Sequence, residues 1–139
     1  MRAPFNSVFA QFSPDGRWVA YHSNESGMDQ VYVASYAGAG GKWQISTDYG
    51  TRARWSHDGR QLFYLGPDLK LMAVDIRVNG GSLEAGMPRQ LFAPPTRRQG
   101  DGYQYDVAPD GRFLFNCQIE QQHTAPITLI QNWTAALKK

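Results

Sequence analysis

The stretch "SPDGRWVAY", residues 13 to 21, has the chemistry of a β-hairpin tip, and the chain repeats it as "SHDGRQLFY" from Ser56 and "APDGRFLFN" from Ala108. Pro14 presets φ for the first central turn position, Asp15 suits the second, and Gly16 can take the left-handed conformation that follows. Each flank has strand character. "FAQFS" and "WVAYHS", "RARWS" and "QLFYL", and "YQYDV" and "FLFNC" alternate or run apolar over strand length. Each copy therefore joins two antiparallel strands through a three-residue type of hairpin with a bulge.

A third apolar run follows each hairpin, in "QVYVASY" from Gln30, "KLMAVDIRV" from Lys70 and "PITLIQNW" from Pro126, and a fourth follows twice, in "KWQIST" and "PRQLFAP". The turn glycines Gly16, Gly59 and Gly111 lie 43 and 52 residues apart. A four-stranded antiparallel unit recurring at that period predicts an all-β protein, a β-propeller of four-stranded blades with three blades per chain. The expected units are blade 1 over 6–47, blade 2 over 48–95 and blade 3 over 96–139 without its outer strand. Residues 1–5 are left as a clasp strand. Arg2 to Phe5 is expected to pair antiparallel beside Ile127 to Trp133. Three blades leave apolar faces at both ends of an arc, so a homodimer of six blades is the expected closed form; the alternative is a truncated part of a longer propeller, monomeric or aggregating when isolated.

Composition agrees with a folded β-rich chain: 42% of residues are hydrophobic and 13% aromatic, enough for pleated, half-buried surfaces. A net charge of +2 over 139 residues is too small to indicate a nucleic-acid or membrane-surface partner. Cys117 is the only cysteine, which excludes an intrachain disulfide and a cysteine-cluster metal site. No apolar run reaches the length of about 18 residues that spans a bilayer, and the N-terminus lacks a signal-peptide core.

The first unit, "FSPDGRWVAYHSNESGMDQVYV", resembles the TolB-type propeller repeats, relatives of the WD-repeat propellers, whose signature is S-P-D-G-R/K followed by a strand such as "WVAY" or "LFY". The ending "APITLIQNWTAALKK" resembles the close of the propeller region downstream of bacterial receptor-like serine/threonine kinases. The chain departs from the pattern at His57, where proline is expected, and at Ala108, where serine is expected; the Asp-Gly step survives in all three copies. The resemblance implies a non-catalytic platform that binds a protein, peptide or small ligand, as part of a larger receptor or periplasmic protein. On that reading the chain is no enzyme. Kinase signatures and a G-x-S-x-G elbow are absent. The alternative is a hydrolase or lyase with its site in the propeller channel.

Individual residues support no sharper expectation, and no catalytic, cofactor or metal residue is assigned. Ser56, His57 and Asp58 spell a hydrolase triad, but consecutive positions at a turn tip cannot converge on one atom. His22, His57 and His123 lack a metal-binding spacing. Asn24, Glu25 and Asp29 in "NESGMD" lack the alternating pattern of a calcium loop. Trp18, Trp43, Trp55 and Trp133 read as packing residues. Gly38, Gly40 and Gly41 in "AGAGGK" read as a link rather than a phosphate loop, and the glycosylation tripeptides at Asn24 and Asn132 read as chance matches.

Overall fold

A computed structural model of the chain describes residues 7–36, 41–94, 105–116 and 127–130, and they form three antiparallel sheets. The first contains β1 (Ser7–Phe12), β2 (Trp18–Ser23), β3 (Gln30–Ser35) and β4 (Lys42–Gln44), in that order. The second contains β5 (Thr51–Trp55), β6 (Gln61–Leu65), β7 (Leu71–Asn79), β8 (Ser82–Ala85) and β9 (Arg89–Phe92); the third contains β10 (Tyr105–Val107), β11 (Phe113–Asn116) and β12 (Ile127–Ile130). The only helical element among the described residues is a single 3-10 turn at Pro67–Leu69.

The repeated turns form by the chemistry their residues predict. Gly16, Gly59 and Gly111 have φ of 74°, 73° and 88°, the left-handed region that a Cβ disfavours. In the first two turns the serine hydroxyl works twice. Ser13 Oγ donates to Asp15 Oδ1 at 2.6 Å and accepts from the Trp18 amide at 3.1 Å. Ser56 Oγ donates to Asp58 Oδ1 at 2.6 Å and accepts from the Gln61 amide at 3.0 Å. Each aspartate also accepts the amide of the arginine two residues on, Arg17 or Arg60, at 3.0 Å.

Ala108 has no hydroxyl to offer the equivalent amide, and the third turn closes one residue tighter. The Ala108 amide donates to the Arg112 carbonyl, whereas the Ser13 and Ser56 amides donate to those of Trp18 and Gln61. Val107 thus pairs with Phe113, while Phe12 pairs with Val19 and Trp55 with Leu62. A slip of one residue turns every side chain to the other face. Phe113 and Phe115 consequently take the places of Val19 and Tyr21, not those of Trp18 and Ala20 as the sequence alignment implies. The turn survives the loss of serine, as expected, but its register does not.

The sheets pack face to face in chain order, and the middle sheet is covered on both sides. Trp55, Leu62, Tyr64, Val74 and Ile76 meet Trp18, Ala20, Val31 and Val33 of the first sheet. Phe63, Leu65, Leu71 and Ala73 meet Tyr105, Val107, Phe113 and Phe115 of the third. Residues 62 to 65 are therefore all buried, as a strand in the centre of a layered stack must be. The expected four-stranded propeller blades require correction: the described sheets have four, five and three strands, and no ring closes. The extra strand is β8, which folds back on the far end of β7 through Gly80 and Gly81, while β9 pairs with the near end of the same strand. The Asn-Gly step at Asn79 is a hairpin signal that marks this turn in the sequence. The expected pairing of Arg2 to Phe5 with Ile127 to Trp133 lies outside the described residues, as do parts of the expected units.

Candidate functional site

Because the same turn starts each sheet, stacking them repeats the same wedge between successive turn tips. The first wedge lies between Ser13 to Trp18 and the edge of the second sheet at Trp55, Gly59, Ile76 and Val78; it holds about 260 Å³. The second lies between Ser56 to Gln61 and the third turn, Val107 to Gly111, and it holds about 730 Å³. One position accounts for much of the contrast. Five residues after the serine, the first turn carries Trp18, whose buried indole packs edge-on against Trp43. The second carries Gln61, whose amide swings out to Asp75 Oδ1 at 3.2 Å. Phe63, Ala73 and Phe113 form an apolar floor, and β9 contributes Leu91 and Arg89 to the wall.

The polar groups around this cleft are already organised. Asp58 is held below the ordinary carboxylate range by the Ser56 hydroxyl first and the Arg60 amide second. Asp75 is lowered chiefly by Gln61, with Arg89 adding to it at 3.2 Å. Asp110 accepts from Arg112 Nε at 2.7 Å. With its hydroxyl given to Asp58, Ser56 is not set up as a nucleophile, and the triad composition of residues 56 to 58 does not become triad geometry. His57 stands apart from both neighbours. Its Nε2 lies 3.3 Å from the Val107 carbonyl across the cleft, and since a carbonyl only accepts, this nitrogen carries the proton. In the neutral ring Nδ1 is then the nitrogen with the lone pair, the form a proton acceptor needs. A proline at this position, as in the other two turns, would offer neither function.

The remaining sequence candidates fall elsewhere. Glu25 is paired with Lys42, which takes the acidic loop and the end of "AGAGGK" into one surface ion pair. Trp18 and Trp55 are core residues, and Trp43 packs beside them. His123, Asn132 and Trp133 lie outside the described residues. Among the described residues, no group of three or more metal-ligating side chains is found.

His22 is 5% exposed, and its Nδ1 accepts the Arg52 amide at 3.2 Å, joining the first sheet to the second. Burial pushes its pKa below the ordinary 6.5, Arg52 adds to the effect, and Asp29 opposes it. Since the unfolded imidazole binds a proton that the folded one resists, stability falls as pH drops below about 6.5. The lowered aspartates act in a separate window, below about 4. The expected result is a thermal midpoint that declines between about pH 7 and pH 5, with the slope flattened in His22→Gln; an unchanged slope in that variant would remove His22 as the cause.

Neither a known family profile nor any curated protein sequence matches the chain. Its fold is similar to that of solved structures, among them a candidate 6-phosphogluconolactonase from Bacteroides uniformis, with 18% identity and a TM-score of 0.54. The match covers 84% of this chain and 34% of that one, so the chain spans about a third of that protein's length. This finding corrects three expectations. The resemblance to TolB-type and WD-repeat propellers does not stand, because the fold the chain shares is the one seen in that candidate 6-phosphogluconolactonase. The non-catalytic interaction platform, which rested on that resemblance, falls with it. So does the inference that the chain is no enzyme. The likeness itself shows the fold alone.

Proposed function

We propose that the chain is a hydrolase that opens small lactones or related esters in the cleft between the second and third sheets, with His57 as general base. The observation that carries the reading is the cleft itself: an apolar-floored cavity bordered by the one turn in which histidine replaces proline. The fold it shares with a candidate lactonase supports the same reaction class. In this mechanism His57 Nδ1 takes a proton from water as the water oxygen bonds to the ester carbonyl carbon. The ring C–O bond breaks as the tetrahedral intermediate collapses, and the proton passes to the leaving alkoxide, giving a hydroxy acid. Arg89 stands on the wall of the same cleft, and its charge favours the negative charge that develops on the carbonyl oxygen.

The test is to close the cleft with the side chain that fills its counterpart. Gln61→Trp places an indole where Trp18 sits in the first wedge. Lactone and ester hydrolysis followed by acid release is expected in the wild-type chain and to fall at least about tenfold in this variant, a loss of about 1.4 kcal/mol of transition-state binding, with the thermal midpoint retained. Absence of hydrolysis by the wild-type chain across lactones and activated esters would overturn the reading.

A further inference from the structure

We propose that Asn79 is a site of spontaneous covalent modification, losing its side-chain amide through attack by the Gly80 nitrogen, and that the change releases β8 from the second sheet. The inference is independent of the hydrolase reading. It rests on which groups at the chain's tight turns are held by hydrogen bonds and which are not. Asparagine is a thermally labile residue type, and of the five asparagines in the chain only Asn79 precedes a glycine. It ends β7 and pairs with Ser82, so Gly80 and Gly81 form a two-residue hairpin turn. All three residues are exposed, and a Cβ on either glycine would meet nothing within 4 Å. The Gly80 nitrogen is thus open to the Asn79 side chain.

The three Asp-Gly turns carry the restraints that this turn lacks. Gly16, Gly59 and Gly111 donate their amides to the carbonyls of Ser13, Ser56 and Ala108 at 2.9, 3.0 and 3.0 Å. Their aspartates are held as well. Asp15 and Asp58 each accept a serine hydroxyl and an arginine amide, and Asp110 accepts the Arg112 amide and guanidinium. An ionised carboxylate is also a poor electrophile, whereas the Asn79 side chain is neutral. Among the described residues neither that side chain nor the Gly80 amide takes part in a hydrogen bond. What is tied here is the Gly80 carbonyl, by Arg17 Nη2 at 3.0 Å, which leaves the reacting nitrogen unengaged.

The reaction needs only water. The Gly80 nitrogen gives its proton to hydroxide and bonds to Asn79 Cγ; the side-chain Cγ–N bond breaks, and ammonia leaves with a proton taken from water. Water then opens the cyclic imide. Cleavage between the nitrogen and Cγ gives an aspartate, while cleavage between the nitrogen and the main-chain carbonyl carbon gives an isoaspartate, whose backbone runs through the former side chain and is longer by a methylene. A longer backbone at the closing pair breaks the register that Asn79 with Ser82, Val78 with Leu83 and Arg77 with Glu84 define. Leu83 is the residue this frees. It is 3% exposed and belongs to the core between the first and second sheets.

Peptide mapping of the full chain, aged in mildly alkaline buffer both folded and unfolded in guanidinium chloride, tests the proposal. In the folded chain Asn79 is expected to convert ahead of Asn24 and to keep the rate it has when unfolded, whereas isomerisation at Asp15, Asp58 and Asp110 is slowed by folding. Hydrogen exchange on the aged folded chain is expected to show lost amide protection over β8. Asn79→Gln, whose longer side chain closes the imide ring poorly, retains that protection on ageing. An Asn79 slowed by folding as much as the three aspartates, or intact while Asn24 converts, would overturn the proposal, as would a converted chain in which β8 keeps its protection.

Discussion

Replacing His57 with glutamine is expected to lower kcat/KM for ester hydrolysis by about 10²- to 10⁴-fold, the span that a positioned general base contributes. The substitution is chosen for what it keeps. A glutamine amide can still donate across the cleft to the Val107 carbonyl, the contact that His57 Nε2 makes at 3.3 Å, so the turn and the third sheet lose little. What it removes is the lone-pair nitrogen. The turn itself rests on Ser56, Asp58 and Gly59, which the change does not touch. Steady-state rates on one lactone with matched thermal midpoints check the outcome. A variant that hydrolyses at the wild-type rate would place the base elsewhere.

Phe115→Ala is expected to destabilise the chain by about 3 to 5 kcal/mol, the cost of a large aromatic truncation in a core that cannot collapse. Phe115 is fully buried. It stacks on Tyr105 at 5.6 Å and meets Phe92 edge-on at 5.6 Å, so it joins the first strand of the third sheet to the second sheet's last strand. Because the third sheet is also the far wall of the cleft, the same substitution should loosen the Val107 to Phe113 lining and reduce hydrolysis. Urea unfolding gives the stability, and a loss under about 1 kcal/mol would mean that the third sheet is not held by this cluster. By contrast, Leu114→Ala, on the opposite face at 39% exposure, should cost little in the isolated chain.

Much of the fold can be read from the three hairpin tips because their chemistry is local. Proline, aspartate and glycine restrict four consecutive residues, and alternation on either side needs no knowledge of distant contacts. The long strand after Lys70 and the run at "PRQLFAP" are legible for the same reason. What the sequence hides is anything decided by hydrogen bonds at a distance. Ala108 differs from Ser13 by one oxygen, and only the lost bond to an amide five residues on explains why Phe113 faces inward where Trp18 would predict a different face. Strand β8 is signalled by Asn79-Gly80, but its pairing with the end of β7, beside β9, depends on the unusual length of that strand. Local bulges at Phe9 and Arg52, each four residues before its serine and with φ of 57° and 54°, have no residue signature at all.

The candidate site was legible only as an anomaly. His57 in place of proline is visible in the sequence, where it reads as a harmless departure. Its meaning comes from Gln61, five residues past Ser56, whose side chain turns away to Asp75 and leaves a wedge that Trp18 fills in the neighbouring sheet. Arg89 joins from a strand about thirty residues on, through a pairing that no local pattern announces.

The central claim is that this wedge binds and hydrolyses its substrate, and backbone chemical-shift mapping with a small hydroxy acid, the class of the reaction product, tests it most directly. The account predicts saturable shifts centred on His57, Arg89, Gly111 and Phe113, abolished in Gln61→Trp. Saturable shifts centred instead on the edge strands β1 and β5 at Phe9 and Arg52, or no saturable shift at any concentration, would contradict it.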